Sequence, residues 1–292
     1  MLSSEVRSGE VALSVRELPR EQAPTVILVH GFPDNQTMWQ PVAARLHEQR
    51  GLRVVTYDTR GVGGSSAPAR TSGYRIERLV EDLVAVMDDV SPDDPVHLVG
   101  HDWGSIQLWG AVTAEDTDDR LRGRIATFTS ISGPPLDYAG HVLRRAAAER
   151  DLGLLQSQAR RSWYVAAFQM PWLPELAVRT LGGPMRARLS STERLADGGH
   201  WDESFPTDAA HGINLYRANI TWGRGRQPEG TDVPVQLVVP EFDQFLDPRL
   251  YGRLDDFVSN LTRVDLRAGH WVPRTAPDLV AGLVADHIEV HP

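Results

Sequence analysis

Six short apolar runs, separated by helical patterns and turns, constrain the fold of this chain more than any other feature. Residues 26–29 (VILV), 54–57 (VVTY), 96–99 (VHLV), 125–128 (IATF), 234–239 (PVQLVV) and 262–266 (TRVDL) are rich in β-branched residues. They are shorter than a buried helix and mostly apolar, as strands covered on both faces are. Residues 75–90 place Ile76, Leu79, Val80, Leu83, Val86 and Met87 at spacings of three and four, and 41–49 and 279–288 behave similarly. Strands alternating with helices imply right-handed crossovers and a mostly parallel sheet flanked by helices. Residues 11–15 are expected to add an antiparallel edge strand.

The alternation breaks between about residues 133 and 228, a stretch rich in Ala, Arg, Leu and Trp with no β-run. A segment of this length cannot be a loop in a compact domain. Pro171, Pro174, Pro184 and Pro206 are expected to divide it into short helices. Residues 223–228 (GRGRQP) read as a return linker. The expected organisation is a core in two parts, 1–133 and 229–292, with a helical lid inserted at 134–228.

Composition narrows the chemistry. The chain has no cysteine, and all 30 of its basic residues are arginine. Disulfides, thiolate nucleophiles, Cys-ligated zinc and lysine Schiff bases are therefore excluded. A net charge of −9 argues against nucleic acid as a partner. No stretch is apolar for long enough to span a membrane or to resemble a secretory signal, so a cytoplasmic location is the expectation. No metal or organic cofactor is called for, and a homodimer is allowed.

The sharpest motif is Val99-Gly100-His101-Asp102-Trp103-Gly104-Ser105, where an apolar strand ends, small residues flank an Asp, and a helical pattern begins at Ile106. This is the layout of a nucleophile elbow with Asp in the place that Ser often takes. A helix N-terminus favours a carboxylate through its dipole and free amides. Asp is also a preferred helix cap, and a purely structural Asp102 is the competing reading. Ser attacks acyl carbon after losing a proton. A carboxylate is already ionised and can displace at saturated carbon, leaving an ester for water to cleave. That suits epoxides and alkyl halides.

Other motifs stand where such a reaction needs them. His30-Gly31-Phe32-Pro33 follows the first run, so the backbone amides of Phe32 and Trp103 are the expected oxyanion hole. Ala268-Gly269-His270-Trp271 follows the last run, and His270 is the expected general base. Asp243 follows the fifth run and is the expected orienting acid. Glu241 and Asp247 lie nearby, and Asp137 is the alternative.

With HGFP at 30–33, YDTRGVGGS at 57–65, GHDWGS at 100–105, Asp243 after its strand and AGHW at 268–271, the chain resembles the epoxide hydrolases of the α/β-hydrolase fold. The resemblance spans almost the whole chain. It is especially close to the hydrolase half of actinobacterial proteins in which a short-chain dehydrogenase domain follows. It implies two lid tyrosines that hold the epoxide oxygen: Tyr216, in Asn214-Leu215-Tyr216-Arg217-Ala218-Asn219, and Tyr164, four residues before Phe168-Gln169. Either could instead be lid packing. His30, Gly31, Pro33, Phe168 and Trp271 are expected to line the substrate pocket. Trp163, Trp172, Trp201 and Phe205 either join them or form the core of the lid. The substrate implied is a small, apolar or lipid-like epoxide.

A haloalkane dehalogenase would use the same Asp-His-Asp set, but it needs a second halide donor after His-Gly. Phe32 stands there, and its side chain donates nothing. A non-catalytic binding module is the reading from another class, and it would be marked by loss of the nucleophile, base or acid.

Overall fold

The computed structural model describes residues 1–195, 200–220 and 228–291, so 223–227 of the expected return linker lie outside the described residues. The chain opens with β1 (Leu2–Ser8), β2 (Val11–Leu18) and β3 (Thr25–Val29), then α1 (Gln40–Arg50), β4 (Arg53–Tyr57), α2 (Ile76–Val90), β5 (Val96–His101), α3 (Trp103–Val112) and β6 (Ile125–Ile131). Helices α4 (Leu136–Glu149), α5 (Leu152–Arg161), α6 (Trp163–Phe168), α7 (Leu173–Thr192) and α8 (Phe205–Asn219) follow as an insert. The chain then returns through β7 (Val235–Pro240), β8 (Leu261–Leu266), α9 (Val272–Thr275) and α10 (Pro277–Val290).

The strands form one eight-stranded sheet in the order β1-β2-β4-β3-β5-β6-β7-β8. β1 and β2 are antiparallel to each other and β2 is antiparallel to β4; the remaining neighbours are parallel. Successive side chains of a strand point to opposite faces. From β3, Val26 and Leu28 enter a core with Val42 and Leu46 of α1 and Val280 and Val284 of α10. Ile27 and Val29 enter the other core, with Leu83 and Met87 of α2 and Leu108 and Trp109 of α3. Both faces are therefore dry, which is why the strand reads as an unbroken apolar run. Burying each such side chain contributes roughly 1.5–3 kcal/mol, enough for packing rather than helix propensity to fix where these helices lie.

The loop after β4 is held by a buried ion pair. The Arg60 guanidinium grips Asp82 of α2 with two bonds of 2.6 and 2.5 Å and donates to the carbonyls of Gly73 and Arg78. Every donor group of Arg60 used here has a partner, as a buried guanidinium requires.

Two sequence expectations are corrected. Residues 11–15 form part of a strand, but not the edge: β1 pairs outside β2, with Ser8 opposite Val11 across a turn in which Gly9 has φ 57°. β1 escaped notice because an edge strand needs little apolar surface, and only Val6 and Ser8 of it are buried. Pro184 does not divide the insert, since α7 runs through it. A proline deletes one helical hydrogen bond, and here packing of α7 on α8 outweighs that loss. Gly182 permits the close approach, because a Cβ there would stand 2.7 Å from the Pro206 ring. Pro174 and Pro206 do sit in the first turns of α7 and α8. Among the described residues no helix is long and apolar enough to cross a membrane.

Candidate active site

The segments after β3, β5, β7 and β8 meet at the C-terminal edge of the sheet, where parallel α/β sheets leave a crevice. Asp102 occupies the turn between β5 and α3 with φ 52° and ψ −122°, a conformation that L side chains rarely adopt. Its side chain makes no capping hydrogen bond to α3. The turn is possible because Gly104 packs against the Val29 and His30 carbonyls with no room for a Cβ. A Cβ on Gly31 would stand 2.6 Å from Oδ1 of Asp102.

The Phe32 amide donates to Asp102 Oδ1 at 2.7 Å, and the Trp103 amide lies beside the same carboxylate. Burial pushes the Asp102 carboxyl up to about 6; the His270 charge and the two amides oppose the rise.

His270 Nδ1 lies 2.8 Å from Asp243 Oδ2, and its Nε2 lies 3.8 Å from Asp102 Oδ2. Asp243 Oδ1 accepts the amides of Phe245 at 2.8 Å and Leu246 at 3.1 Å. Asp243 rather than Asp137 thus partners His270; Asp137 lies in the first turn of α4. Burial disfavours the His270 imidazolium, but Asp243, then Asp102 and Glu193, more than offset this and raise it to about 9. Each charge favours the other, so the pair rests as a carboxylate facing an imidazolium.

Tyr164 of α6 and Tyr216 of α8 pack ring to ring, with centroids 5.7 Å apart. Their hydroxyls face each other, and the Trp103 ring packs edge-on against Tyr216 with centroids 4.9 Å apart. Burial raises both phenols well above their ordinary range, and the nearby Asp102 charge adds to the rise in each. Phe168 stacks edge-on against Tyr164, Tyr216 and Phe32. Pro33 is buried behind a cis peptide bond.

His30 and Trp271 are both buried and tied by hydrogen bonds. Both His30 ring nitrogens are used by backbone: Nε2 accepts the Thr59 amide at 3.0 Å and Nδ1 lies 3.0 Å from the Gly31 carbonyl. Trp271 is 1% exposed and donates its indole N–H to Asp34 at 2.9 Å. Trp163 and Trp172 point outward, whereas Trp201 and Phe205 are buried against Trp271.

Two further carboxylates, Asp34 and Glu193, lie near the site. Asp34, directly after HGFP, accepts from the indoles of Trp271 and Trp201 and lies 2.5 Å from His200 Nε2. Burial opposes its charge, but His200, His101 and Trp271 hold its carboxyl far below the usual range. Glu193 of the insert accepts from the Gln244 side chain at 2.5 Å and the Trp271 amide at 3.4 Å, bracing the loops that carry Asp243 and His270. Asp34 could have been suspected from its place after HGFP. Nothing local marks Glu193. Among the described residues no cluster of three or more His, Asp or Glu converges as a metal site.

The family described as alpha/beta hydrolase fold matches residues 24–277. A Mycobacterium tuberculosis protein called "Probable oxidoreductase EphD" is 36% identical over 290 residues, covering 96% of this chain and 48% of that protein. The chain thus spans about half the length of that relative. Epoxide hydrolase A of M. tuberculosis is 30% identical over 241 residues, 82% of this chain and 67% of that protein. Among solved structures, a Bacillus megaterium epoxide hydrolase in complex with an inhibitor superposes with a TM-score of 0.79 at 20% identity, covering 98% and 100% of the two chains, a likeness of fold.

Proposed function

Because the chain belongs to the α/β-hydrolase fold family, we propose that it is an epoxide hydrolase that opens its substrate to a vicinal diol through an ester on Asp102. One arrangement carries this reading: two phenols pack together over the nucleophile turn, Tyr164 on Tyr216 with ring centroids 5.7 Å apart and Tyr216 on Trp103 and Phe32 at 4.9 and 5.3 Å. Opening an epoxide creates an alkoxide, a poor leaving group, and a phenol that donates as the charge develops removes that difficulty. Alkyl halides need no such proton.

In the first half-reaction, Asp102 Oδ2 attacks the less hindered ring carbon while Oδ1 stays on the Phe32 and Trp103 amides. The C–O bond breaks, and Tyr164 and Tyr216, as a linked pair, deliver one proton to the ring oxygen. In the second, His270 Nε2 takes a proton from water as the water oxygen attacks Cγ of the ester. The charge that forms on Oδ1 is held by the same amides. Collapse expels the diol oxygen, which takes the proton from His270. The new carboxylic acid on Asp102 then passes its proton to His270, which restores the resting charges.

The charges time these steps. In the free enzyme His270 binds its proton tightly, partly because Asp102 is negative. Esterification removes that charge, so His270 gives its proton to the phenolate left by ring-opening and becomes the free base that the second half-reaction needs.

A pH dependence follows. Asp102 must be ionised to attack, and its carboxyl is raised to about 6. The alkylation rate should be full above that value and fall about tenfold per pH unit below it. Stopped-flow tryptophan fluorescence with excess epoxide measures this directly; a flat rate down to pH about 4, where an unperturbed Asp titrates, would contradict the assignment.

Tyr216→Phe should slow alkylation by about 10²-fold, the usual scale for a positioned acid, while the epoxide dissociation constant changes little. The reading itself is tested by presenting matched epoxides and alkyl chlorides. Diol formation without chloride release is expected, and chloride release alone would make the chain a dehalogenase. The aromatic shell of Phe32, Phe168, Tyr164 and Tyr216 favours an apolar epoxide.

A further inference from the structure

The insert presents a face that the chemistry above does not use. Trp163, Met170, Trp172, Leu173 and Leu176 are all exposed, the two indoles by 69% and 68%. They are close along the chain and gathered by tight turns. Trp163 and Met170 lie two helical turns apart along α6 and its end, and backbone bonds from Met170 to Ala167, Leu173 to Pro171 and Leu176 to Trp172 fold the segment sharply. The same α6 carries Tyr164 and Phe168 on its inner side. Large apolar side chains scattered singly are ordinary on a surface, but a group of this kind marks an interaction site.

Charge indicates what the face meets. Between residues 152 and 189 the chain has five arginines (160, 161, 179, 186 and 188) and one acidic residue, Glu175, although the whole chain carries −9. Glu175 is already paired with Arg217. Arg160, three residues before Trp163, and Arg179, three residues after Leu176, are both exposed, as is Arg188. A local positive field beside exposed Trp, Leu and Met on an acidic protein suits an anionic lipid surface: indoles settle at the headgroup level, and arginines meet lipid phosphates. With no membrane-crossing helix among the described residues, this face would lie on a bilayer rather than span it.

We propose that the α6–α7 face docks this protein on the surface of an anionic lipid bilayer, with Trp163 and Trp172 entering the headgroup region and Arg160 and Arg179 binding lipid phosphates. This inference is independent of the epoxide reading, because it rests on the outer surface alone.

The test is flotation of the full chain with vesicles of phosphatidylcholine alone or mixed with phosphatidylglycerol. Binding to the mixed vesicles should exceed binding to the neutral ones by about tenfold or more and weaken as salt is added. The pairs Trp163→Ser/Trp172→Ser and Arg160→Gln/Arg179→Gln should each lower binding by about tenfold, with an unchanged melting temperature. If the Trp pair does not fold, the exposed Arg pair carries the test. Absence of binding, equal binding to both vesicles, or binding indifferent to the Arg pair would overturn the proposal. So would a native dimer in sedimentation that the Trp pair converts to monomer, which would assign the face to a second copy of this chain.

Discussion

Asp102→Ala is expected to lower epoxide turnover by about 10⁴-fold or more, the scale seen when a covalent nucleophile is removed. The amides of Phe32 and Trp103 would remain, but neither they nor the two phenols can form a bond to carbon. The loss should not come from unfolding. Burial raises the Asp102 carboxyl to about 6, so the fold disfavours the anion. The sign follows from linkage: the native state holds its proton more tightly than the unfolded chain, so stability falls as pH rises from the unfolded value toward about 6. Above that pH the alanine variant is spared the penalty, and its melting temperature should equal or exceed that of the parent. A variant that melts much lower, or that keeps more than a hundredth of the parental turnover (a loss below about 10²-fold), would count against Asp102 as the nucleophile.

His270→Gln has a different expected signature. Alkylation needs Asp102 and the phenols, whereas cleavage of the ester needs a base. The variant should therefore react once and stop, with steady turnover lower by about 10²–10⁴-fold or more. Intact-protein mass spectrometry should show one substrate mass added, and peptide mapping should place it on Asp102. Glutamine is the apt replacement, because its amide can donate to Asp243 Oδ2, which now accepts from the imidazole at 2.8 Å. Leaving that buried carboxylate without a donor would cost stability and blur the result. A substrate turned over by the parent but leaving no adduct on the variant would contradict the role given to His270.

The parts of the site that were legible in the sequence are those where strand, turn and helix signals lie side by side. Asp102 between Gly100 and Gly104, Phe32 in HGFP and His270 in AGHW are each set by a few neighbouring residues whose backbone demands are local. Asp243 is marked in the sequence only by its order in the chain, where Asp137 competes; its 2.8 Å distance to His270 Nδ1 separates the two. Asp34 and Glu193 stayed hidden because their meaning lies in contacts between the insert and the core. Asp34 meets His200 and Trp201 from far along the chain, and Glu193 meets Gln244 and Trp271. No periodicity encodes such pairings. The same gap explains His30, a residue of a strong motif whose two nitrogens turned out to serve the backbone. In the fold, β1 was missed because edge strands lack the apolar run that reveals buried ones, and Pro184 misled because tertiary packing overrode a local breaker.

The direct test of the central claim is one turnover of excess enzyme with epoxide in oxygen-18 water. Water is added to the carboxyl carbon in this account, so the heavy atom should appear in the Asp102 side chain while the first diol released carries ordinary oxygen at both positions. Heavy oxygen in that first diol, with Asp102 unlabelled, would mean that water attacks the epoxide itself and that no ester forms.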